Sequence, residues 1–530
     1  MSPGPGKAEL KKKDRSRKTL AYLAGVGTAL FVFALYVMTL APTVLPYELP
    51  ELADVAMLQM QVCTLSIPHP TGYPTYLMLS KLLTYLPFGD CGYGANLASA
   101  IYGAFAVLAV FAAGYLLSRR VLAAAVGALA FGLGGTIWSQ AVMAEVYTLN
   151  ALLIGLIFAV LLRWRERRNE PSGDRYLLLA AFLGGLTLTN HLTSGLILPA
   201  ALVFVALVEW RKLPRPMFLA KGVGLFVLGL TPYLYLPIRA NTGAPMTANN
   251  PDNLERTLYV ISGGDLTGSF FAFGLAELPA RISFYLGYLF EDHNLPVLQL
   301  ALLGLFVLIS RDRPAAALLG IPFTGWFIYA IENNIVDIEL YFIPTYLVIC
   351  VWSAAGLAAL LDWITPLLER LGERATLGKG ALAVLLLAMP LWGVWGTYER
   401  VDMSDDYRGR MGIEAVVENV PQNATVLHHR SNLWYMGLVE ERRRDLTLVD
   451  PFQHNKVFPY NDIVWPADLS LPETDRRFGT DDLSGVKAAR MALEKGPVYL
   501  FAQEEARPSN FVEAGFEVTQ VEGPVYRIEE

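Results

Sequence analysis

The 530-residue chain is 54% hydrophobic and 17% charged, with a net charge of −6. A soluble domain averages about 25% charged residues, and apolar runs near the roughly 20 residues needed to cross a bilayer recur up to about position 400. The composition excludes a soluble globular enzyme and offers no basic face for nucleic acid; it defines a polytopic α-helical membrane protein surrounded by lipid.

Residues 1–19 form a basic tail containing Lys7, Lys11, Lys12, Lys13, Arg15, Arg17 and Lys18. The apolar run that follows, Leu20 to Leu40, is too long for a signal-peptide core, and Ala41-Pro42-Thr43 is a poor cleavage site. We read it as a retained first span with a cytoplasmic N-terminus. The pattern predicts about eleven transmembrane helices in a domain over 20–400, near 20–41, 95–117, 121–137, 146–163, 176–192, 194–210, 217–237, 294–310, 314–331, 341–361 and 379–397. The connections this order places inside, with the tail, hold 21 Lys and Arg; those it places outside before the last span hold 4. That asymmetry is the positive-inside signature of a multi-pass protein, here expected in the plasma membrane.

Two outer loops are long, 42–94 and 238–293. In the first, Glu48 and Glu51 are three residues apart and project to one side if helical. Further on, Pro68-His69-Pro70-Thr71-Gly72-Tyr73-Pro74 holds a His and a Tyr on a backbone restricted by three prolines. The stretches 51–61 and 73–86 have the apolar periodicity of amphipathic helices lying at the membrane surface; a further interfacial helix is expected over 275–290. Cys63 and Cys91 both fall in this loop, as a disulfide if that side is oxidising or as two thiols. Polar groups recur at the outer ends of later spans: Glu145 and Tyr147, Asn190 and His191, Arg239, then Asp337, Glu339 and Tyr341. Ionisable groups near membrane depth are costly and mark function. The acids could bind a divalent metal through oxygen, but His69, His191 and Arg239 can meet a phosphate without one, so no metal is required.

After Tyr398 the composition turns charged. Short β-rich runs (425–427, 446–449, 498–501, 516–521) alternate with helical patterns (408–419, 433–442, 483–495), which predicts a soluble α/β domain over 401–530 on the extracytoplasmic side. Its expected role is a lid or an acceptor-docking module.

Several of these segments together resemble a known family. They are Thr43-Val44 with Glu48-x-x-Glu51, His69 to Pro74, Asn96-Leu97, Trp138-Ser139, Glu145 to Asn150, Asn190-His191 and Tyr235 to Ala240. The chain resembles the protein O-mannosyltransferase-like membrane family of the GT-C glycosyltransferases over most of 20–345. The resemblance implies a GT-C-like fold and an inverting transfer from a polyprenyl-phosphate sugar to an acceptor hydroxyl of a protein or glycan. It assigns the base to Glu48, where the family pattern usually has Asp, and the second acid to Glu51. His69, Tyr73, His191 and Arg239 would then serve the donor phosphate, while Glu145, Tyr147, Asp337, Glu339 and Tyr341 shape the pocket. The competing readings are a lipid transporter or flippase, which would show mid-membrane polar sites and repeat symmetry, and a non-catalytic scaffold.

Overall fold

The computed structural model describes residues 7–47, 54–212, 215–264, 269–370, 372–451, 482–503 and 506–530. Glu48 and Glu51 lie outside the described residues.

The first part of the chain is helical. In order it forms α1 (Lys7–Met38), α2 (Val55–Thr64), α3 (Pro74–Leu83), α4 (Cys91–Ser118), α5 (Val121–Gly132), α6 (Gly135–Ala141), α7 (Tyr147–Arg167), α8 (Asp174–Leu188) and α9 (Ile197–Glu209). Then come α10 (Pro216–Leu230), α11 (Tyr235–Asn241), α12 (Leu254–Ile261), α13 (Leu278–Asp292), α14 (Leu295–Arg311), α15 (Arg313–Ile331), α16 (Ile343–Glu369), α17 (Ala375–Leu391) and α18 (Val394–Val401). Among the described residues eight helical stretches are long and apolar enough to cross a membrane, or ten when the bent pairs α5–α6 and α13–α14 each count as one. The segment expected over 176–192 is also helical, but α8 has only 15 residues. The α5–α6 pair bends by 67° and the α13–α14 pair by 112°. Asp292, at the second bend, accepts from Thr136 N at 3.0 Å and so caps α6, tying the two bends together.

Helices in lipid are held by close packing of small residues. Two crossings show this. A Cβ on Gly304 of α14 would lie 1.8 Å from Trp352 O, and one on Gly356 of α16 would lie 1.9 Å from Leu300 O. Gly185 of α8 and Gly229 of α10 meet in the same way, 2.0 Å from Phe226 O and 2.3 Å from Phe182 O. Burial divides the spans. Tyr147–Arg167 and Ile338–Glu369 are each 72% buried, whereas Pro216–Asn241 and Gly372–Val401 are each 6% buried.

The two ends of the bundle differ in chemistry. At the far end Arg119 pairs with Glu166, Arg120 with Asp362, Arg165 with Asp312 and Lys212 with Asp174. These cations belong to the connections the sequence placed inside. The other end carries the first loop and the C-terminal domain. There Cys63 and Cys91 form a disulfide joining α2 to the start of α4. α3 exposes Met78, Leu79 and Leu82, as an interfacial helix would. α2 does not lie on a surface: Val55 to Cys63 are all buried, Gln59 satisfied by Leu45 N, Thr43 O and Asn96, because the C-terminal domain covers the outer side of the helix.

The C-terminal domain has a five-stranded sheet: β1 (Thr425–Leu427), β2 (Thr447–Val449), β3 (Val498–Phe501), β4 (Glu517–Glu522) and β5 (Val525–Glu529), in the order β2-β1-β3-β5-β4. β1 is parallel to β2 and β3, and β5 is antiparallel to β3 and β4. Helices α19 (Arg408–Asn419) and α20 (Leu433–Leu438) press against α2, with Ile413, Trp434 and Met436 in one apolar cluster with Met57, Met60 and Cys63. Tyr435 Oη accepts from Gly92 N at 3.0 Å, and Arg410 reaches Asp90 at 2.8 Å.

Candidate active site

The proline-restricted loop makes the site wall. Gly72 adopts φ +84°, a left-handed conformation glycine takes without strain. Tyr73 follows at φ +41° and Pro74 then starts α3. The reversal turns the Tyr73 hydroxyl back to His69 Nε2, at 3.0 Å. His69 Nε2 also stands 3.7 Å from Asp54 Oδ2. Asp54 immediately precedes α2, and its carboxylate meets the Arg430 guanidinium of the C-terminal domain.

A second group comes from the bundle. Ser99 of α4 holds the Glu145 main chain, donating to its O at 3.1 Å and accepting from its N at 3.0 Å. Asn190 donates to Val146 O at 3.3 Å, which brings the His191 turn alongside. His191 is 5% exposed. Its ring lies between Tyr147 at 5.7 Å, Tyr341 at 5.3 Å and Tyr73 at 6.5 Å, and its Nδ1 contacts Thr193 Oγ1 at 2.7 Å. Tyr147 donates to Asp337 Oδ2 at 3.1 Å. Beside this group is a pocket of about 280 Å³ lined by Tyr73, His191, Ser262, Phe270, Tyr329 and Tyr341.

The electrostatics follow from burial. Burial pushes the Glu145 carboxyl well above its usual range, and the neighbouring Asp54 and Asp337 push it further. Asp337 is raised for the same reason, burial first and then Asp54. The Tyr73 hydroxyl is held neutral by burial and by the same three acids. Asp54, Glu145 and Asp337 thus act on one another across a single site. Among the described residues no group of three or more His, Cys, Asp or Glu side chains is arranged to hold a metal ion.

The structure brings together His69, Tyr73, Glu145, Tyr147, His191, Asp337 and Tyr341. Glu339 shares the turn Ile338–Phe342 with Tyr341 but takes part in none of the contacts above. Arg239, expected at the donor phosphate, bonds main-chain carbonyls at the end of α2. It donates to Leu65 O at 2.8 Å and Thr64 O at 3.3 Å, satisfying the last carbonyls of α2. The sequence reading missed Asp54 and Arg430. Asp54 continues the spacing of Glu48 and Glu51 by another three residues, a signal that was present. Arg430 follows a short β-run, with nothing in its local pattern to tie it to a loop 376 positions away.

The architecture is that of the GT-C membrane glycosyltransferases, as the motifs had suggested, in a multi-pass membrane protein. ArnT from Cupriavidus metallidurans, in a crystal structure with undecaprenyl phosphate, superposes with a TM-score of 0.60 at 14% identity, covering 96% of this chain and 97% of that one. The archaeal oligosaccharyltransferase AglB from Archaeoglobus fulgidus, in complex with an inhibitory peptide and a dolichol-phosphate, gives 0.50 at 13% identity, covering 91% and 69%. More particularly, residues 54–213 match the protein O-mannosyl-transferase TMEM260 N-terminal domain family. The mouse protein O-mannosyl-transferase TMEM260 is 26% identical over 455 residues, which is 80% of this chain and 62% of that protein. The chain therefore spans less than two thirds of the length of that relative.

Proposed function

We propose that the protein is an inverting glycosyltransferase. It moves a mannose-like sugar from a polyprenyl-phosphate donor to an acceptor hydroxyl, on a protein Ser or Thr, at the extracytoplasmic membrane face. One observation carries the reading: Asp54, Glu145 and Asp337 converge with His69, His191 and three tyrosines beside a pocket at the end of the bundle that holds the first loop. The lipid phosphates carried by ArnT and AglB, and the name of the mouse relative, support the donor and the sugar. The disulfide at the site end and the cations at the far end support the orientation.

The step is a displacement at the anomeric carbon. The acceptor oxygen forms a bond to C1 as the bond from C1 to the phosphate oxygen breaks. The acceptor proton passes to a carboxylate of the first loop, Glu48, with Glu51 beside it. The phosphate leaves with the bonding electron pair, its charge met by His69 and His191. Arg239, which also bonds the last carbonyls of α2, is the cation that would add to them. The step as written calls on no metal. A lipid-linked donor also accounts for so much membrane: the tail stays in the bilayer while its head enters the pocket.

The test is release of free polyprenyl phosphate from a labelled polyprenyl-phosphate mannose by protein reconstituted in nanodiscs with a Ser/Thr peptide. Glu48→Gln should lower release by at least about 10²-fold without loss of folded protein. Wild-type protein that releases no polyprenyl phosphate overturns the proposal.

A further inference from the structure

A second cavity, apart from the one beside His191, opens where three breaks in the helices meet. The α5–α6 bend, the α13–α14 bend and the α17–α18 break surround about 370 Å³, and Phe290, Glu291, Asp292, His293, Trp392 and Arg400 are part of its lining. That size falls within the range of ligand pockets. The cavity lies at the end of the bundle that carries the C-terminal domain, since α18 leads into α19. Lipid borders it, because the span Gly372–Val401 is only 6% buried. Phe290, Trp392 and Trp395 are 56%, 84% and 69% exposed there, and aromatic side chains of this kind mark the level of the lipid headgroups.

The charges that line it are not paired with one another. Asp292 and Arg400 both overlook Gly135: a Cβ there would stand 3.3 Å from Asp292 Oδ1 and 2.8 Å from Arg400 Nη2. Yet Asp292 turns to Thr136, accepting from its N at 3.0 Å and from its Oγ1 at 3.0 Å. Among the described residues Arg400 donates no hydrogen bond and Glu291 accepts none. The cavity thus offers a guanidinium to an anion and, beside it, the Glu291 carboxylate to a cation. Its floor is open. Gly393 and Gly396 both line it, and a Cβ on either meets nothing within 4 Å. His293, 3% exposed, closes the inner wall, its Nε2 3.8 Å from Cys350 Sγ.

We propose that this cavity binds the headgroup of an aminophospholipid from the surrounding leaflet, with the phosphate on Arg400 and the primary ammonium on Glu291. Charge selects the occupant. The cavity holds one guanidinium and two carboxyl groups, so a purely anionic headgroup meets like charge, while a zwitterion with a free amine finds a partner for each end. A choline headgroup brings the positive charge but no N–H for a charge-assisted hydrogen bond. The bound headgroup bears on α6 from two sides. Asp292 caps α6, and Trp395 of α18 stacks on Tyr398 at 5.8 Å, which meets Trp138 of α6 edge-on at 6.1 Å. From α6 the chain runs on directly to Glu145 and Tyr147. The lipid site does not depend on the transferase reading.

The experiment reconstitutes the full chain in vesicles of phosphatidylethanolamine, phosphatidylcholine and phosphatidylglycerol in equal parts, extracts it in detergent and counts the retained lipids by native mass spectrometry. Wild type should keep a single phosphatidylethanolamine, favoured at least about tenfold over either competitor. Arg400→Ala removes the partner of the phosphate and should lower that retention at least about tenfold. Glu291→Gln should bring phosphatidylethanolamine down to the level of phosphatidylcholine, because the amine no longer has its carboxylate. Gly396→Phe fills the cavity without touching a charge and should abolish retention; it is the readout if Arg400→Ala fails to fold. Wild-type retention in the folded Arg400→Ala protein, or in Gly396→Phe when it is the readout, overturns the proposal. So does a wild-type chain that keeps phosphatidylcholine or phosphatidylglycerol as well as it keeps phosphatidylethanolamine, or that keeps no lipid.

Discussion

Gly356 is where a single methyl should act on both stability and site. Built on Gly356, a Cβ stands 1.9 Å from Leu300 O and 2.8 Å from Gly304 N. Carbon contacts become favourable near about 3.5 Å, so α14 and α16 must part by roughly 1.5 Å at the crossing. A gap of about 0.5–1 Å already forfeits a quarter to a half of a contact's attraction, so the crossing is effectively lost. Overpacking of this kind costs about 1–3 kcal/mol, and in lipid no hydrophobic drive restores the pair. The shift also travels, because α16 continues directly from the turn that holds Tyr341, with Asp337 just before it. Gly356→Ala should therefore melt several degrees lower in nanodiscs and lose release of polyprenyl phosphate at temperatures where it is still folded. Gly380→Ala in α17 is the control: a Cβ there meets nothing within 4 Å, and the helix gains up to about 1 kcal/mol. A Gly356→Ala protein that melts at or above wild type would refute the close-crossing argument.

The raised carboxyl of Glu145 predicts a pH dependence. The folded protein keeps this proton where an unfolded chain, titrating near 4.5, has lost it. The stability it contributes is fully present below that value and is lost as pH rises from there through the folded value, by about 1.4 kcal/mol per pH unit. Glu145→Gln should flatten the fall of melting temperature as the pH rises above about 4.5; identical curves would contradict the assignment. Replacing both Cys63 and Cys91 by Ser reopens a loop of sequence separation 28 and should cost about 3.5 kcal/mol, seen as a lower melting temperature that reducing agent does not lower further.

Much of the fold is legible locally. Apolar length marks the spans, and the β-rich runs fall on β1 to β4 because each is a short strand bounded by turn residues. β5 escaped because Arg527 and Glu529 break its apolar pattern, yet it sits between β3 and β4. α2 was expected on a surface; the C-terminal domain that covers it lies more than 340 residues away and leaves no mark on local periodicity. The site divides in the same way. His69, Tyr73, Glu145 and His191 are conspicuous as polar groups in apolar surroundings. Arg430 is one arginine in a charged domain, and its meaning comes only from the pairing with Asp54. Arg239 shows the converse, a lone cation near the loop whose bonds to the carbonyls closing α2 no local pattern announces.

The uneven burial of the spans has a consequence for handling the molecule. Tyr147–Arg167 and Ile338–Glu369 are surrounded by other protein and carry their environment with them. Pro216–Asn241, which crosses α8 closely on one side only, and Gly372–Val401 are each 6% buried. For these two, the surrounding acyl chains are in effect the missing neighbours. α17 runs into α18, and the chain reaches α19 of the C-terminal domain seven residues beyond Val401. The C-terminal domain, which packs on α2 and pairs with Asp54, thus hangs on a helix whose seat is lipid, and the thickness and fluidity of the bilayer become variables of the site.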